Sequence, residues 1–315
     1  MQYRRVGILM GGLGPERAVS LRSGQAVQTA LKGRGYEVVP IDVDHQLDQT
    51  LRNAQIDVAF NALHGPYGED GCVQGLLELL RIPYTGAGVM VSALCMDKLK
   101  SKELFKVHDV PSPKYYAVQS QDLPTLDARH GDFGFPVFVK PRSQGSSVGA
   151  GRANNLQELR ATCVEALRFD AFALVEQYVP GSELTVGLLD GKALGIVEIV
   201  PQSENYDYRA KYGANGSAYF CPPRLPAETQ AHICNCAEKA AAALDATQGA
   251  PRVDLRWNAE DGPQIMEVNT SPGMTATSLL PKVAAAVGMD FGALCDAILQ
   301  RAQLNVQTVA WQEPL

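Results

Sequence analysis

The stretch Arg252-Val-Asp254, followed by Met266-Glu267-Val-Asn269-Thr-Ser-Pro-Gly273-Met-Thr, decides how the rest of the chain is interpreted. Its alternation of apolar and polar residues predicts two adjacent β-strands. Because side chains at i and i+2 share one face of a strand, the polar groups of each strand point the same way. Two amphipathic strands with solvated acids would explain the same residues.

The side-chain oxygens of Asp254, Glu267 and Asn269 form a set of hard ligands. Such a set suits Mg²⁺ bound to substrate phosphates, where waters and phosphate oxygens complete the coordination. The pattern therefore predicts a magnesium and phosphate site on these strands.

Composition limits the class of protein. The 315 residues, 46% of them hydrophobic, indicate a soluble globular protein of two or three domains. A net charge of −6 and the absence of a cationic cluster argue against a nucleic-acid partner. No apolar run reaches membrane length, and the N-terminal apolar run is too short for a signal peptide. We therefore expect a cytoplasmic protein without a membrane partner.

Seven cysteines, an odd number, lie mostly among apolar residues, as free core cysteines do. Cys234 and Cys236 form a C-x-C pattern, but no second pair with metal-ligand spacing accompanies it. We expect reduced thiols without a zinc or catalytic role.

The first third of the chain alternates predicted strands, at residues 6–10, 38–41 and 58–63, with helices. This rhythm predicts an α/β fold with a parallel sheet. Gly11 and Gly14 lie at a strand–helix turn, as in dinucleotide-binding folds. However, the G-x-G-x-x-G spacing is absent and Asp42 is the only candidate for the ribose-binding acid, which argues against a dehydrogenase.

Further elements are predicted by periodicity and by turn residues. We expect helices at 97–106, 156–167, 227–244 and 291–302, and strands at 173–178, 183–189 and 192–201. An Asp190-Gly191 hairpin turn separates the last two strands. Residues 202–224 are polar and aperiodic, which is more typical of a functional loop than of a linker.

Three further motifs contain residues that could bind a ligand. Lys140 ends an apolar strand before Gly145-Ser-Ser-Val-Gly149, and such a loop can close over phosphates, although an ordinary surface loop would look similar. The segment from Glu176 to Glu183 can contact adenine and ribose, or form a solvated hairpin. His64-Gly-Pro-Tyr-Gly-Glu-Asp-Gly71 lets the backbone approach a ligand, or its acids simply cap a helix.

Several segments, in chain order, resemble the D-alanine–D-alanine ligases, a family of ATP-grasp enzymes. The matching segments are Gly11-Gly-Leu-Gly-Pro-Glu-Arg-Ala-Val-Ser20, His64-Gly-x-x-Gly-Glu-Asp-Gly71, Met96-Asp-Lys98, Lys140-Pro-x-x-x-Gly-Ser-Ser-Val-Gly149, Tyr208-x-x-Lys211-Tyr212 and Glu267-x-Asn-Thr-Ser-Pro-Gly-Met-Thr275. The resemblance extends over nearly the whole chain. It implies three domains: an N-terminal α/β domain at 1–95, a central ATP-grasp subdomain at 96–182, and a C-terminal domain at 183–315.

The resemblance also implies a reaction and a set of roles. Two D-alanines would be joined through an acyl phosphate, with ATP and two Mg²⁺ ions, which Mn²⁺ can replace. The implied catalytic residues are Glu16, Ser146, Tyr212, Arg252 and Gly273; the substrate-binding residues are His64, Lys211, Ser278 and Leu279; the ATP-binding residues are Lys98, Lys140, Ser147, Glu176, Gln177, Val179 and Glu183; and the metal ligands are Asp254, Glu267 and Asn269. A homodimer formed through the first domain is also implied.

Tyr212 bears on the acceptor, because relatives that use D-lactate or D-serine depart from a tyrosine in this region. We therefore expect D-alanine in both positions. Two departures from the family pattern are Gln177, where many relatives have lysine, and Arg152, where lysine is usual. Two alternatives stay open: a sibling ligase with another acceptor, and a nucleotide-sensing protein with a decayed active site.

Overall fold

The computed structural model describes residues 2–146, 148–201 and 217–306. The first third forms a three-stranded parallel sheet of order β2-β1-β3. Its elements are β1 (Arg5–Gly11), α1 (Arg17–Gly33), β2 (Glu37–Val43), α2 (Leu47–Ala54), β3 (Val58–Asn61), α3 (Cys72–Leu80) and α4 (Val89–Met96). The predicted parallel sheet is confirmed.

The central part forms a four-stranded antiparallel sheet of order β4-β7-β5-β6. Its elements are α5 (Lys98–Val107), β4 (Tyr115–Val118), α6 (Leu126–His130), β5 (Val137–Pro141), β6 (Gly151–Ala153), α7 (Leu156–Ala166) and β7 (Ala173–Gln177). Helix α5 begins where the Asp97 carboxylate accepts a hydrogen bond from the Lys100 N–H at 3.1 Å. This cap fixes the position of Lys98 in the first turn.

The last part forms a five-stranded antiparallel sheet of order β10-β9-β8-β11-β12. Its elements are β8 (Ser182–Leu189), β9 (Lys192–Pro201), β10 (Ser217–Phe220), α8 (Ala227–Ala243), β11 (Arg252–Asn258), β12 (Gly262–Asn269), α9 (Leu279–Ala286) and α10 (Phe291–Leu299). Asp190 and Gly191 both have positive φ, as the predicted two-residue hairpin between β8 and β9 requires.

The predicted loop at 202–224 is wrong in part, because residues 217–220 pair with β9 as strand β10. Residues 202–216 of that prediction lie outside the described ranges. Helices α2, α4 and α9 were not predicted from the sequence.

The hydrophobic core of the first sheet is completed from the other end of the chain. Val6, Ile8 and Phe60 of that sheet pack in one cluster with Leu280 of α9 and Leu294 of α10. Each of the three predicted domain segments contains one sheet, and the exact domain boundaries stay a prediction.

Candidate active site

Strands β8, β11 and β12 form the floor of the candidate site. Asp254 of β11 lies directly opposite Glu267 of β12, and Arg252 lies opposite Asn269. On its other side, β11 pairs Asp254 with Thr185 of β8. The prediction that these two polar segments form adjacent strands is therefore confirmed.

Cross-strand pairing arranges the floor in three rows. The rows are Gly187, Arg252 and Asn269; Thr185, Asp254 and Glu267; and Glu183, Arg256 and Gln264. Alternate residues along β8 and β11 are about 6.8 Å apart, so the outer rows are separated by about 14 Å there, while a register shift in the pairing of β11 with β12 adds one residue between Glu267 and Gln264. The rows can therefore contact different parts of one extended ligand.

The middle row places two carboxylates face to face, an arrangement that is destabilising without a cation. Arg252 donates to both Asp254 oxygens, from Nε to Oδ1 at 2.9 Å and from Nη2 to Oδ2 at 2.7 Å. Lys98 Nζ lies 3.6 Å from Glu267 Oε2. A divalent cation would offset the same negative charge, so this donor set fits Mg²⁺ or Mn²⁺.

Asn269 supplies the third hard oxygen of the predicted metal site. Its Oδ1 accepts one hydrogen bond, from the Ser271 N–H at 3.0 Å, and an amide oxygen has a second lone pair. Within the part of the chain that the structure describes, no group of three or more His, Cys, Asp or Glu side chains is arranged to hold a metal. The metal assignment therefore depends on this amide together with the facing carboxylates.

The two predicted phosphate-binding lysines approach the floor from the central part of the chain. Lys98 Nζ donates to the Gln144 carbonyl at 2.7 Å, and Lys140 Nζ lies 2.8 Å from Glu176 Oε2. Both lysines are buried, so their charge acts in a medium that screens it less than water does.

Glu176 has a structural role that the sequence did not indicate. Its side chain is 0% exposed and lies between Lys140 and Lys102, whose Nζ is 2.7 Å from Oε1. Burial acts to raise the pKa of Glu176, but the two ammonium groups outweigh it and hold that pKa below its ordinary value. Burial lowers the pKa of Lys102 to about 8, against the attraction of Glu176.

The predicted adenosine-binding segment lies where β7 leads into β8. The Gln177 N–H donates to the Lys114 carbonyl at 2.9 Å, so it is already used within the protein. The backbone contact to adenine that we expect from Gln177 would therefore be made by its carbonyl. Val179 is buried, and Glu183 lies 3.8 Å from Arg256 Nη1.

Tyr178 and Arg256 were missed as site candidates. The Tyr178 ring centroid lies 4.4 Å from the Arg152 guanidinium carbon and 5.5 Å from that of Arg256. Arg256 is two residues beyond Asp254, so the i, i+2 rule used for Arg252 and Asp254 could have found it.

Glu16 and Ser146 meet across the site, because the Ser146 hydroxyl donates a hydrogen bond to the Glu16 carboxylate. The chain passes close to this carboxylate at Gly145, where an added Cβ would lie 2.8 Å from Glu16 Oε1. Burial, and then the nearby Glu69 carboxylate, raise the pKa of Glu16. A cationic group would be the fitting ligand for a carboxylate in this position.

Gly273 lies in the turn at residues 271–274, next to His64 and Ser278. His64 Nδ1 is 3.1 Å from the Ser271 carbonyl. Ser278 accepts a hydrogen bond from the Thr275 N–H at 3.0 Å and precedes the first residue of α9, Leu279. The first N–H groups of a helix lack partners within the helix, so Leu279 can offer one to a carboxylate.

Three predicted site residues, Ser147, Lys211 and Tyr212, lie outside the described ranges. Four of the other predicted residues are linked in a series from Ser146 through Glu16 and Lys98 to Glu267 on the floor of the site.

Comparisons with known proteins agree along nearly the whole chain. Residues 104–300 match the family model described as D-ala D-ala ligase C-terminus, and residues 45–87 match D-ala D-ala ligase N-terminus. A D-alanine--D-alanine ligase of Anaeromyxobacter sp. (strain Fw109-5) is 46% identical over 302 residues, or 96% of this chain and 98% of the relative. One from Geobacter sulfurreducens is 46% identical over 308 residues, covering 98% and 96%.

Solved structures give the same result. The crystal structure of D-alanine--D-alanine ligase from Bacillus anthracis superposes with a TM-score of 0.84 at 36% identity, covering 95% of this chain and 97% of that one. Its complex with ATP gives a TM-score of 0.82 at 34% identity, with the same coverage. The VanG D-Ala:D-Ser ligase of Enterococcus faecalis gives 0.82 at 27% identity, covering 95% and 99%.

Proposed function

Because the chain belongs to the D-alanine–D-alanine ligase family, we propose that it joins two D-alanine molecules to D-alanyl-D-alanine at the expense of ATP. It has the ATP-grasp fold of that family, and the dipeptide serves peptidoglycan synthesis. One observation in the structure of this chain supports the proposal directly. The facing pair Asp254 and Glu267 lies beside a buried lysine, within reach of Arg252.

In the first step, a carboxylate oxygen of the first D-alanine attacks the γ-phosphorus of ATP. The bond from that phosphorus to the β,γ-bridging oxygen breaks, ADP leaves and D-alanyl phosphate forms. Lys98 and Lys140 neutralise phosphate charge during this transfer, and the Glu16 carboxylate pairs with the ammonium group of the first D-alanine. Burial strengthens these interactions because it removes competing water.

In the second step, the amino group of the second D-alanine attacks the carbonyl carbon of D-alanyl phosphate. The carbon–oxygen bond to phosphate then breaks, and phosphate and one proton are released with the dipeptide. Arg252 and the Gly273 N–H stabilise the oxyanion of the tetrahedral intermediate, and losing one such donor typically slows turnover about 100- to 1,000-fold. Ser278 and the Leu279 N–H bind the carboxylate of the second D-alanine.

The remaining assignments come from the sequence resemblance. Ser146 and Tyr212 orient the first substrate with Glu16, Lys211 binds substrate, and Ser147 binds ATP. Glu176, Gln177, Val179 and Glu183 surround adenosine, and we add Tyr178 and Arg256 to that set.

Asp254, Glu267 and Asn269 would hold Mg²⁺, which would neutralise charge on the transferring phosphoryl group. For Glu267→Gln, we expect turnover to fall by at least about 100-fold and the Mg²⁺ concentration for half-activation to rise. The substitution removes one of two facing like charges but also a counter-charge of the buried Lys98, so the melting temperature should stay close to that of the wild type. Wild-type turnover in Glu267→Gln would remove the metal assignment.

The acceptor is the least constrained part of the proposal, because a D-Ala:D-Ser ligase is also similar to the chain. Tyr212 favours an amine nucleophile from D-alanine. Supplying D-lactate with D-alanine at neutral pH should therefore give little ester product, and abundant ester would overturn this assignment.

We also propose that the protein is a homodimer and is located in the cytoplasm. No helix in the described part of the chain is both long and apolar enough to span a membrane. Leu79 of α3 and Met90 of α4, 84% and 60% exposed, are candidates for the dimer interface through the first domain.

The test is phosphate release from ATP and Mg²⁺ with D-alanine alone, with the product identified by mass spectrometry. We expect D-alanyl-D-alanine with one phosphate per dipeptide. ATP turnover that requires a different amino or hydroxy acid would change the acceptor. Tight ATP binding without turnover on any D-amino acid would favour a nucleotide-sensing protein instead.

A further inference from the structure

The turn at residues 271–274 is contacted by Ser23 at its last residue and by His64 at its first, where Ser271 also bonds the Asn269 side chain and the Leu63 carbonyl. Ser23 lies on α1 with its side chain fully buried. Its Oγ is 3.2 Å from the Met274 nitrogen and 3.1 Å from His64 Nε2. His64 Nδ1 is 3.1 Å from the Ser271 carbonyl oxygen. A single chain of hydrogen bonds therefore joins the first and last residues of the turn.

The groups at the two ends fix the direction of the two outer hydrogen bonds. The Ser271 carbonyl can only accept, so His64 Nδ1 donates to it, and the Met274 N–H can only donate, so Ser23 Oγ accepts there. The Ser23 hydroxyl can both donate and accept, so it pairs with His64 Nε2 in either direction. His64 Nδ1 also lies 3.6 Å from Glu69 Oε1.

A pocket of about 30 Å³ borders the turn, lined in part by Phe60, Pro272, Met274 and Leu280. On that side the turn has no protein atoms to pack against, so its hydrogen bonds contribute to holding its position.

We propose that Ser23 is a positioning residue, which with His64 holds the Gly273 N–H where it stabilises the oxyanion. In the described residues, no hydrogen bond from the Gly273 N–H to a protein acceptor is found, so this donor is available to a ligand. Ser23 acts through the turn and does not contact the substrate. This inference rests on the proposed function.

The main test compares Ser23→Ala with Ser20→Ala. Ser20 is a matched control because it is also fully buried on α1, where its hydroxyl bonds the Gly11 N–H at 2.9 Å and the Ala62 carbonyl at 2.8 Å. A displacement of about 1 Å in a catalytic group can cost about 100-fold in rate. We expect Ser23→Ala to lower kcat about 10- to 100-fold, with the KM values for ATP and D-alanine changed less than about 3-fold. Ser20→Ala should keep kcat within about 3-fold of wild type.

A second measurement separates the two chemical steps. Formation of D-alanyl phosphate is followed by the exchange of ¹⁸O between the β,γ-bridging and β-nonbridging positions of ATP. Because the oxyanion forms only in the second step, Ser23→Ala should raise the ratio of exchange to dipeptide formation at least about 10-fold. An unchanged ratio, or an equal loss of kcat in Ser20→Ala, would overturn the proposal and leave Ser23 with a structural role.

Ser23→Cys covers the case in which Ser23→Ala does not fold. It keeps approximately the size of the side chain but has only a weak donor and acceptor, so an intermediate kcat is expected. A folded Ser23→Cys variant with wild-type kcat and exchange ratio would overturn the proposal. If the wild-type protein makes no dipeptide from D-alanine, the proposed function itself is wrong. This outcome differs from one in which the wild-type protein is active but the Ser23 variants behave like it, which would overturn only the role of Ser23.

Discussion

At the scale of single residues, Lys102 shows how charge is arranged beneath the site. Its ammonium group and the Glu176 carboxylate are both 0% exposed, and Ser112 accepts a hydrogen bond from Lys102 Nζ at 2.7 Å. If Lys140 binds a phosphate as proposed, Lys102 remains as a counterion for Glu176. Without Lys102, Glu176 would compete with that phosphate for Lys140.

We expect Lys102→Met to lower the free energy of unfolding by about 3–5 kcal/mol, because it removes one partner of a buried ion pair. Urea denaturation measures this loss. Lys100→Met is the matched control on the same helix, since Lys100 forms an exposed ion pair with Glu103 and should cost less than about 1 kcal/mol. Equal losses in the two variants would contradict the buried-pair interpretation, whereas adding Glu176→Gln to Lys102→Met should recover part of the loss.

Glu16 gives a prediction about pH. Its raised pKa means that the carboxylate becomes protonated at a higher pH than an ordinary glutamate. Protonation removes its attraction for the substrate ammonium, so kcat/KM for D-alanine should fall as pH decreases through this raised pKa. Glu16→Gln should remove that inflection from the pH profile and lower the plateau about 10- to 100-fold.

The raised pKa of Glu16 also makes folding stability depend on pH. Because the folded protein holds the Glu16 proton more tightly than the unfolded chain, wild-type stability decreases as pH rises from the unfolded pKa to the folded pKa. Glu16→Gln lacks this effect, so its stability relative to wild type should increase over that pH range. A stability difference that is independent of pH would show that burial does not act on this carboxyl as described.

At the scale of elements, the N-terminus of α9 shows a residue at the N-cap position whose side chain does not cap the helix. Ser278 is the N-cap residue, but its side chain makes no capping hydrogen bond to the helix. It is instead engaged with Thr275, through the N–H at 3.0 Å and the hydroxyl at 2.8 Å.

Ser278→Ala should therefore cost less stability than the roughly 1 kcal/mol typical of a lost N-cap, while raising the KM for the second D-alanine. Initial rates measured over a range of D-alanine concentrations, fitted with a separate constant for each of the two proposed sites, measure this change. Asp290→Ala is a useful comparison, since the Asp290 carboxylate does cap α10 by accepting from the Ala293 N–H at 2.7 Å. Asp290→Ala should lose stability without a change in KM. Loss of stability in Ser278→Ala together with a raised KM in Asp290→Ala would contradict the roles given to Ser278 and Asp290.

Local chemistry explains which elements could be predicted from the sequence. The Asp190-Gly191 turn and the floor strands have signals within a few residues, so their positions are close to those predicted. Helix α9 was missed because its sequence, Leu-Leu-Pro-Lys-Val-Ala-Ala-Ala, is short and largely apolar and contains Pro281. Its burial between the core of the first sheet and strands β8 and β9, rather than its periodicity, stabilises it as a helix.

The candidate site likewise could be predicted only where its residues are close in sequence. Asp254 and Glu267 could be paired from alternation alone, because the two strands are close in sequence. The chain from Ser23 through His64 to the turn joins residues 251 positions apart, and a buried serine in a helix has no distinguishing local signal. Lys102 likewise appears as one more lysine in a charged helix until the central sheet encloses it.

At the scale of the whole molecule, the exposed apolar side chains on α3 and α4 give a test of the dimer. Leu79→Arg combined with Met90→Arg should shift the protein from dimer to monomer in sedimentation-equilibrium experiments. Val107→Arg is the matched control, because Val107 is also apolar and 72% exposed but lies at the end of α5. A dimer that survives the double substitution, or dissociates equally in the control, would place the interface elsewhere.

The shared core of the first sheet and the last two helices has a consequence for synthesis on the ribosome. Met274, Leu280 and Leu294 fill the core around β1 and β3, and Tyr3 donates a hydrogen bond to the Ala302 carbonyl at 2.6 Å. The first sheet is complete at Asn61, but its apolar face is fully covered only when Leu294 is added, about 230 residues later. During that interval the nascent chain has an unsatisfied hydrophobic surface, and a chaperone that binds emerging chains should be retained until α10 leaves the exit tunnel.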